Sequence, residues 1–410
     1  MLRAYKYRLY PTAEQRQFMA QSFGNVRKVY NLALDLRCIL YQGCGRSVSR
    51  FDTQAQLVIW KELYPYLVES NSQSLQYAIK QVDDAFTNWW KHGAGHPMPK
   101  RKRDRQAFHN PQHCSIDWKH KTLTIPKCKE IPVVLHRPFY GNIKDVTISL
   151  NPDGKYYASI LVDTAIQPQA CKPVETSTTI GIDTGIKTFA VCSDGREFQT
   201  PHFAKAQARR LKHYQRELRL KQKDSKNRAE TLRRIAKIHA HIANQRLDHI
   251  HKVTYELTHD SQVRTICIED LNVKGMMRNH HLAYSLADAS IGKFYEILRY
   301  KCEWYGVNLV TIGRWDASSK TCSVCGEVNR SLKLSDRHWT CICCGTYHDR
   351  DYNASVNIKN FGLSQTLPGD AREVTPVDCP PADDRQLAGL RSSGSVNQEK
   401  FRGVTDAPVL

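Results

Sequence analysis

The chain has 410 residues, of which 41% are hydrophobic, and its 60 Lys and Arg against 40 Asp and Glu give a net charge of +20. This excess of positive charge indicates a polyanionic partner, and nucleic acid is the leading candidate because phosphate contacts release counterions. A membrane span is excluded because no segment approaches roughly 20 apolar residues, and the first residues lack the apolar region of a secretion signal.

The first hundred residues begin with a strand and continue as helices. Residues 3–10 alternate between apolar and polar in the manner of a strand. Thr12, with Gln15 three residues later, predicts a helix that begins with a capping box and continues to about residue 40. Helical periodicity returns over residues 51–64 and 72–91. We therefore predict a small helical bundle.

Beyond a linker rich in Gly and Pro the hydrophobic period becomes two. The strand-like segments lie at residues 122–125, 133–135, 145–150 and 156–162, and a hairpin turn falls at 151–154. They predict a β-barrel or sandwich over residues 105–165, which the N-terminal strand could join.

After a polar linker, strands and helices alternate in the order of the RNase H fold. Residues 363–410 have the polar composition of a poorly ordered tail. The predicted elements are strands at 179–182, 188–193 and 196–199, two long helices over 203–259, a strand at 263–268, a helix at 284–305, a strand at 307–312, and a final short helix that contains Asp351.

Four cysteines have the spacing of a zinc ribbon. Cys322 and Cys325 form one C-x2-C pair, and Cys341 and Cys344 form the second. Two such pairs can bind one tetrahedral Zn²⁺, and four Cys ligands leave no open position, so the zinc is predicted to be structural. The alternative is a chance pairing of buried cysteines. The other ten cysteines, Cys343 among them, show no secreted disulfide framework, which predicts a cytoplasmic location.

Three acidic residues follow or begin elements that would meet in such a fold. Asp183 and Glu269 each stand at the end of an apolar strand, and Asp351 stands in the first turn of the last helix. Singly, such residues are commonly turn formers or helix caps, and we expect Asp349 to be the cap here. Together, three carboxylates suit two Mg²⁺ ions, which serve phosphodiester hydrolysis.

Several segments together resemble the TnpB (OrfB) proteins of insertion sequences, which are related to type V CRISPR effector nucleases. The resemblance spans nearly the whole chain. It implies an effector that binds a guide RNA from the transposon end and cuts double-stranded DNA beside a short flanking motif, with a RuvC-like site made of Asp183, Glu269 and Asp351. The segments are residues 5–15, Gly181-Ile-Asp183-Thr-Gly-Ile-Lys187, residues 268–276, the zinc-ribbon segment 318–344, and Asp349-Arg-Asp351-Tyr-Asn-Ala354.

The predicted fold class is therefore multidomain α/β. A RuvC-like nuclease domain is expected over residues 178–314 and 348–362, interrupted by the zinc ribbon at 315–347. The remaining predicted parts are a β-barrel of residues 1–10 and 100–165 and a helical recognition bundle of residues 11–99.

Two basic groups are candidate contacts to RNA or DNA, although a solvated helix face or a solubilising run would explain any single residue. Among the aromatic residues, Tyr5 and Tyr7 could stack on bases, whereas buried packing is expected for Trp89 and Trp90. The basic groups are Lys100, Arg101, Lys102 and Arg103 in the linker, and Arg209, Arg210, Lys212 and Arg216 on the first long helix.

Two other functions remain open from the sequence. A transposase could use the same carboxylates to activate a DNA 3′-hydroxyl for strand transfer. A repressor could bind DNA through a guide without cutting it.

Overall fold

The computed structural model describes residues 1–333 and 335–367. Two large hydrophobic cores organise them, one before and one after the linker at residues 166–177. The final helix continues to Thr366, beyond the predicted end of the nuclease domain at residue 362. Residues 368–410 of the predicted tail lie outside the described residues. No helix within the described ranges is long and apolar enough to cross a membrane.

The N-terminal strand is followed by three helices that pack on one another, α1 on α3 and α3 on α2. The predicted capping box is confirmed, because Thr12 accepts a hydrogen bond from the Gln15 backbone N–H and the Gln15 side chain accepts one from the backbone N–H of Thr12. The elements are β1 (Leu2–Leu9), α1 (Ala13–Cys44), α2 (Arg50–Leu63) and α3 (Ser72–His92).

Seven antiparallel strands form the sheet of this part, in the order β2-β6-β7-β1-β5-β4-β3. The first strand does join it, pairing along its whole length with β7. The described pairings do not link the two outer strands, so closure into a barrel stays a prediction. The additional strands are β2 (Gln106–Asn110), β3 (Ser115–Asp117), β4 (Thr122–Ile125), β5 (Cys128–Val134), β6 (Asn142–Leu150) and β7 (Tyr156–Asp163).

The helices and the sheet share one core. Phe23 of α1 meets Phe108 of β2 edge to face, with ring centroids 5.3 Å apart, and the buried residues of both parts form a single cluster. The helical part is therefore packed directly against the sheet rather than folded around a separate core.

The second sheet has the order β10-β9-β8-β11-β12, and β8, β11 and β12 run parallel. This arrangement agrees with the predicted RNase H order. The strands are β8 (Thr179–Thr184), β9 (Thr188–Cys192), β10 (Glu197–Gln199), β11 (Thr265–Glu269) and β12 (Asn308–Ile312). The helices around them are α4 (Phe203–Leu220), α5 (Lys226–His259), α6 (Val273–Met276), α7 (His280–Ala289) and α8 (Ile291–Tyr305).

The helix predicted over residues 284–305 is instead the pair α7 and α8. Ser290 separates them with a left-handed backbone (φ 57°) and closes α7 by donating its N–H to the carbonyl of Leu286. Serine rarely adopts this conformation, so its presence in the sequence does not indicate a break. The hydrophobic periodicity continues across Ser290, and it therefore predicts one helix. Beyond β12 a small hairpin of β13 (His338–Thr340) and β14 (Tyr347–Asp349) leads directly into α9 (Arg350–Thr366).

Helix α9 lies directly on the second sheet because two glycines remove the side chains between them. A Cβ at Gly181 of β8 would lie 2.1 Å from the carbonyl oxygen of Ser355 and 2.5 Å from the backbone nitrogen of Lys359. A Cβ at Gly362 would lie 2.3 Å from the Sγ of Cys267 on β11. The helix backbone therefore contacts the strands, which brings the start of α9 to the end of β8.

We expect Gly181→Ala to destabilise the protein by about 1–3 kcal/mol, because the added methyl must push α9 away from β8. Gly95→Ala is the matched control, since a Cβ there meets no atom within 4 Å. Chemical denaturation of both variants measures the difference. Equal stability of the two variants would contradict this account of the contact.

Candidate metal centres

The four ribbon cysteines converge as predicted. The Sγ atoms of Cys322, Cys325, Cys341 and Cys344 all lie within 4.8 Å of one another. Two pairs, Cys322 with Cys344 and Cys325 with Cys341, are separated by 3.6 Å. Four sulfur atoms grouped in this way fit a tetrahedral Zn²⁺. Leu332 and Trp339 pack beside them in a small separate core.

The surroundings of the thiols shift their pKa values in opposite directions. Hydrogen bonds from Thr346 lower the pKa of the Cys344 thiol to about 6, which favours the thiolate that binds metal. Burial raises the pKa of Cys325 to about 12. The buried ring of His348 places Nε2 3.1 Å from the Sγ of Cys322. Sequence reasoning did not identify His348, although its place just before the Asp-Arg-Asp segment makes it adjacent to both centres.

Asp183, Glu269 and Asp351 are presented by the sheet and the final helix. The strand predicted to end before Asp183 continues through it, and Asp183 pairs with Val191 of β9. Glu269 is the last residue of β11, and Asp351 is the second residue of α9. All three side chains belong to partly buried residues. Three separate elements therefore direct carboxylates to one region.

Burial changes the protonation of Asp183 and Glu269, and neighbouring carboxylates add to the effect at Asp183. Burial, together with the negative charges of Glu269 and Asp351, raises the pKa of Asp183 to about 8. Burial also raises the pKa of Glu269, and a hydrogen bond from Ser318 opposes this shift. The three carboxylates are not grouped as tightly as the four thiols. Oxygen ligands that repel one another in a partly buried site fit hard divalent cations such as Mg²⁺.

Three further residues contact this group. Ser318 Oγ donates a hydrogen bond to Glu269 Oε1 at 2.5 Å, and Arg337 Nη1 lies 3.1 Å from Asp351 Oδ2. Sequence reasoning missed both residues, because neither contact is local in sequence. Asp349 Oδ1 accepts hydrogen bonds from the backbone N–H groups of Asp351 (3.0 Å) and Tyr352 (2.9 Å), so its predicted role as the helix cap is confirmed.

The basic linker block separates into two kinds of residue. Lys100 points inward, where its Nζ donates to Gln81 Oε1 at 2.6 Å and lies 4.0 Å from the centre of the Tyr30 ring. Burial lowers the pKa of Lys100 to about 8. The exposed members are Arg101, Lys102 and Arg103, and Arg209, Arg210, Lys212 and Arg216 are likewise exposed on α4. These exposed side chains can meet phosphates, whereas Lys100 is built into the helical part.

Two expectations about aromatic residues are wrong. Tyr7 cannot stack on a base because it is fully buried and donates its hydroxyl to the Arg137 carbonyl. Trp90 is not buried, since 64% of it is exposed, and Trp89 is 38% exposed. Both tryptophans line a cavity of about 450 Å³ between the C-terminal ends of α1 and α3.

Three family models match successive parts of the chain. The model described as "Probable transposase" matches residues 159–280, and a "Cas12f1-like, TNB domain" matches residues 292–358. A "Helix-turn-helix domain" of the same OrfB family matches residues 1–45, where the structure has one strand and one long helix.

Full-length relatives are also similar to the chain. A protein of Streptomyces pristinaespiralis named "Putative RNA-guided DNA endonuclease" is 36% identical and covers 100% of this chain and 98% of the relative. InsQ of Escherichia coli K12, whose name carries the same description, is 28% identical over 88% of this chain and 92% of its own.

Among solved structures, the Cas12f1 protein of a complex with single guide RNA and target DNA is similar in fold. It has a TM-score of 0.55 at 14% identity, and the match covers 88% of this chain and 99% of that protein.

We expect the purified chain to hold one tightly bound zinc ion, because binding to four thiolates contributes to folding of the ribbon. Cys341→Ser should reduce both the zinc content and the melting temperature. Cys302→Ser, a buried cysteine remote from the ribbon, is the control and should keep the zinc. Elemental analysis and thermal unfolding measure these quantities. Unchanged zinc and stability in Cys341→Ser would reject this ligand set.

Without added divalent cation, the raised pKa of Asp183 makes stability depend on pH. The folded chain then holds a proton that the unfolded chain has lost, so between about pH 4 and about pH 8 stability falls as pH rises. Asp183→Asn replaces the titrating carboxyl with a neutral amide, so stability should depend less on pH. The variant should be a few degrees more stable than the wild type near pH 8, with its zinc retained. Thermal unfolding across pH measures it, and parallel curves would refute the carboxylate cluster.

Proposed function

Because the chain belongs to the TnpB (OrfB) family, we propose that it is an RNA-guided DNA endonuclease whose RuvC-like centre depends on Mg²⁺. The observation that carries the proposal is the convergence of Asp183, Glu269 and Asp351, where burial and the charges of the other two carboxylates raise the pKa of Asp183. The name of the relative that is 36% identical over almost its whole length supports the RNA-guided activity.

In this proposal Asp183, Glu269 and Asp351 hold Mg²⁺, which when bound supplies an activated water and charge stabilisation for the leaving oxygen. The protein's own contribution is orientation. Strand β8 fixes Asp183 through its pairing with β9, and Asp349 fixes the first turn of α9 by capping it. The four-cysteine zinc site has no open position and serves to fold the ribbon.

The nucleic-acid partners are assigned to exposed basic surfaces. A guide RNA from the transposon end and double-stranded target DNA would contact Arg101, Lys102 and Arg103 and the α4 group of Arg209, Arg210, Lys212 and Arg216 through their phosphates. Lys100 would anchor the linker to the helices through its contacts with Gln81 and Tyr30. The division into a barrel, a recognition bundle, a nuclease domain and a ribbon, with the ranges predicted from the sequence, belongs to this proposal, as does a cytoplasmic location.

Strand transfer is the second candidate, and the description of the family model that matches residues 159–280 favours it. The same carboxylates could activate a DNA 3′-hydroxyl instead of water. The products distinguish the two reactions, since hydrolysis leaves broken DNA with free ends and strand transfer joins transposon ends to a target. The alternative of a non-cleaving repressor does not need the three carboxylates.

The direct test begins with the RNA that copurifies with the chain. We expect sequencing to recover one transposon-end transcript, and a plasmid that matches its guide segment to be linearised in the presence of Mg²⁺. Joined products with transposon-end DNA would favour strand transfer, and guided binding with no cutting by the wild type would favour the repressor.

We predict that Asp351→Asn eliminates this cutting while guided DNA binding and folding remain normal, because it removes a charged metal ligand but no phosphate contact. Asp349→Asn is the matched control two residues away, and it keeps an oxygen that can cap α9. It should retain much of the activity, whereas Asp349→Ala should lose about 1 kcal/mol of stability. Cleavage, gel-shift and unfolding measurements decide it. An active Asp351→Asn with an inactive Asp349→Asn would exchange the two roles.

A further inference from the structure

The loop that follows β12 and begins the zinc ribbon contacts one of the candidate metal-binding carboxylates. Ser318 lies in this loop and is 4% exposed. Its hydroxyl donates to Glu269 Oε1. A serine hydroxyl can donate only one hydrogen bond, so this donor is committed to the carboxylate. Because Ser318 is buried, water does not compete with its hydroxyl as the donor to Glu269.

Ser318 is itself held in place by the helix that carries Asp351. Asn357 Nδ2 of α9 donates to the Ser318 carbonyl at 2.7 Å and to the Thr321 carbonyl at 2.6 Å. Asn353, four residues earlier and therefore on the same face of α9, donates to Thr321 and accepts from the backbone N–H of Ser323. Both asparagines are buried. The loop is thus fixed to α9 at three backbone groups around the first zinc-binding pair.

We propose that Ser318 is a positioning residue for Glu269, which fixes the orientation of its carboxylate for divalent-cation binding and links it to the helix that presents Asp351. The inference rests on the proposed function, since it assigns Glu269 as a metal ligand. Glu269 pairs with Ile312 of β12, whereas the pairing of β11 with β8 ends one residue earlier. Its backbone is therefore held from one side, and the Ser318 hydrogen bond adds a constraint on its side chain. Asp351 and Ser318 are anchored on the same helix, so the two carboxylates keep a defined separation.

A constraint of this type has a measurable size. Hydrogen-bonding partners of metal ligands change metal affinity by about 10–100-fold when they are removed. The loss should appear as weaker metal binding rather than as weaker DNA binding, because Ser318 is buried and its hydroxyl donates to Glu269 rather than facing a phosphate.

The experiment compares Ser318→Ala with Ser319→Ala, which changes the adjacent serine that has no bond to Glu269. In the RNA-bound complex, the Mn²⁺ binding that disappears in Asp183→Ala defines the carboxylate site, and electron paramagnetic resonance measures it. We expect Ser318→Ala to weaken this binding by at least about 10-fold and to raise the Mg²⁺ midpoint of cleavage similarly. Zinc content and guided DNA binding should stay at wild-type levels, and excess Mg²⁺ should restore the cleavage rate.

Ser318→Thr keeps the hydroxyl and should retain Mn²⁺ affinity closer to the wild type than Ser318→Ala does. If Ser318→Ala does not fold, Ser318→Cys gives the same comparison with a similar shape and a weak donor. Wild-type Mn²⁺ affinity in the folded Ala or Cys variant, or an equal loss in Ser319→Ala, would overturn the inference. If Asp183→Ala binds as much Mn²⁺ as the wild type, the carboxylates do not form a metal site, and the proposed function is rejected with it.

Discussion

The direct contact between α9 and β8 is the constraint on which the rest of the candidate centre depends. Gly181 and Gly362 allow the helix backbone to touch the strands, and no other residue type would fit at the distances found there. That contact fixes the position of the first turn of α9 relative to β8, and therefore the position of Asp351 relative to Asp183. It also places Asn353 and Asn357 against the loop of the zinc ribbon.

Bringing acidic groups together in this way is unfavourable in the absence of metal. Burial first, and then repulsion by Glu269 and Asp351, raises the pKa of Asp183, and the charge of Arg350 opposes this shift. Arg337 pairs with Asp351 and reduces the negative charge at the third position. Sites that hold repelling groups are kept by selection for function at a cost in stability. The extensive cores of both sheets supply the stability that such a site removes.

The sequence predicted the features that depend on local spacing. The cysteine pairs, the Thr12 capping box, the Asp349 cap and the strand order of the second sheet follow from short patterns or from the order of elements. It failed where the outcome depends on distant partners. Trp90 stays exposed and Tyr7 is buried because of how the surrounding elements pack. The short strands β2 and β3 form because they pair with β6 and β4. Ser318 reaches Glu269 across 49 positions of sequence, a distance over which no periodic pattern carries information.

The position of the ribbon along the chain couples its folding to the placement of the candidate carboxylates. The ribbon stands between β12 and α9, so the chain must leave the sheet, traverse the cysteine pairs and return before it can present Asp351. A long flexible connection would lose conformational entropy each time α9 docked on β8. A bound metal would remove much of that freedom in advance, since its binding energy is part of the folding energy of the ribbon. The β13–β14 hairpin then passes without a loop into the Asp349 cap, so a folded ribbon delivers the first turn of α9 in a fixed orientation.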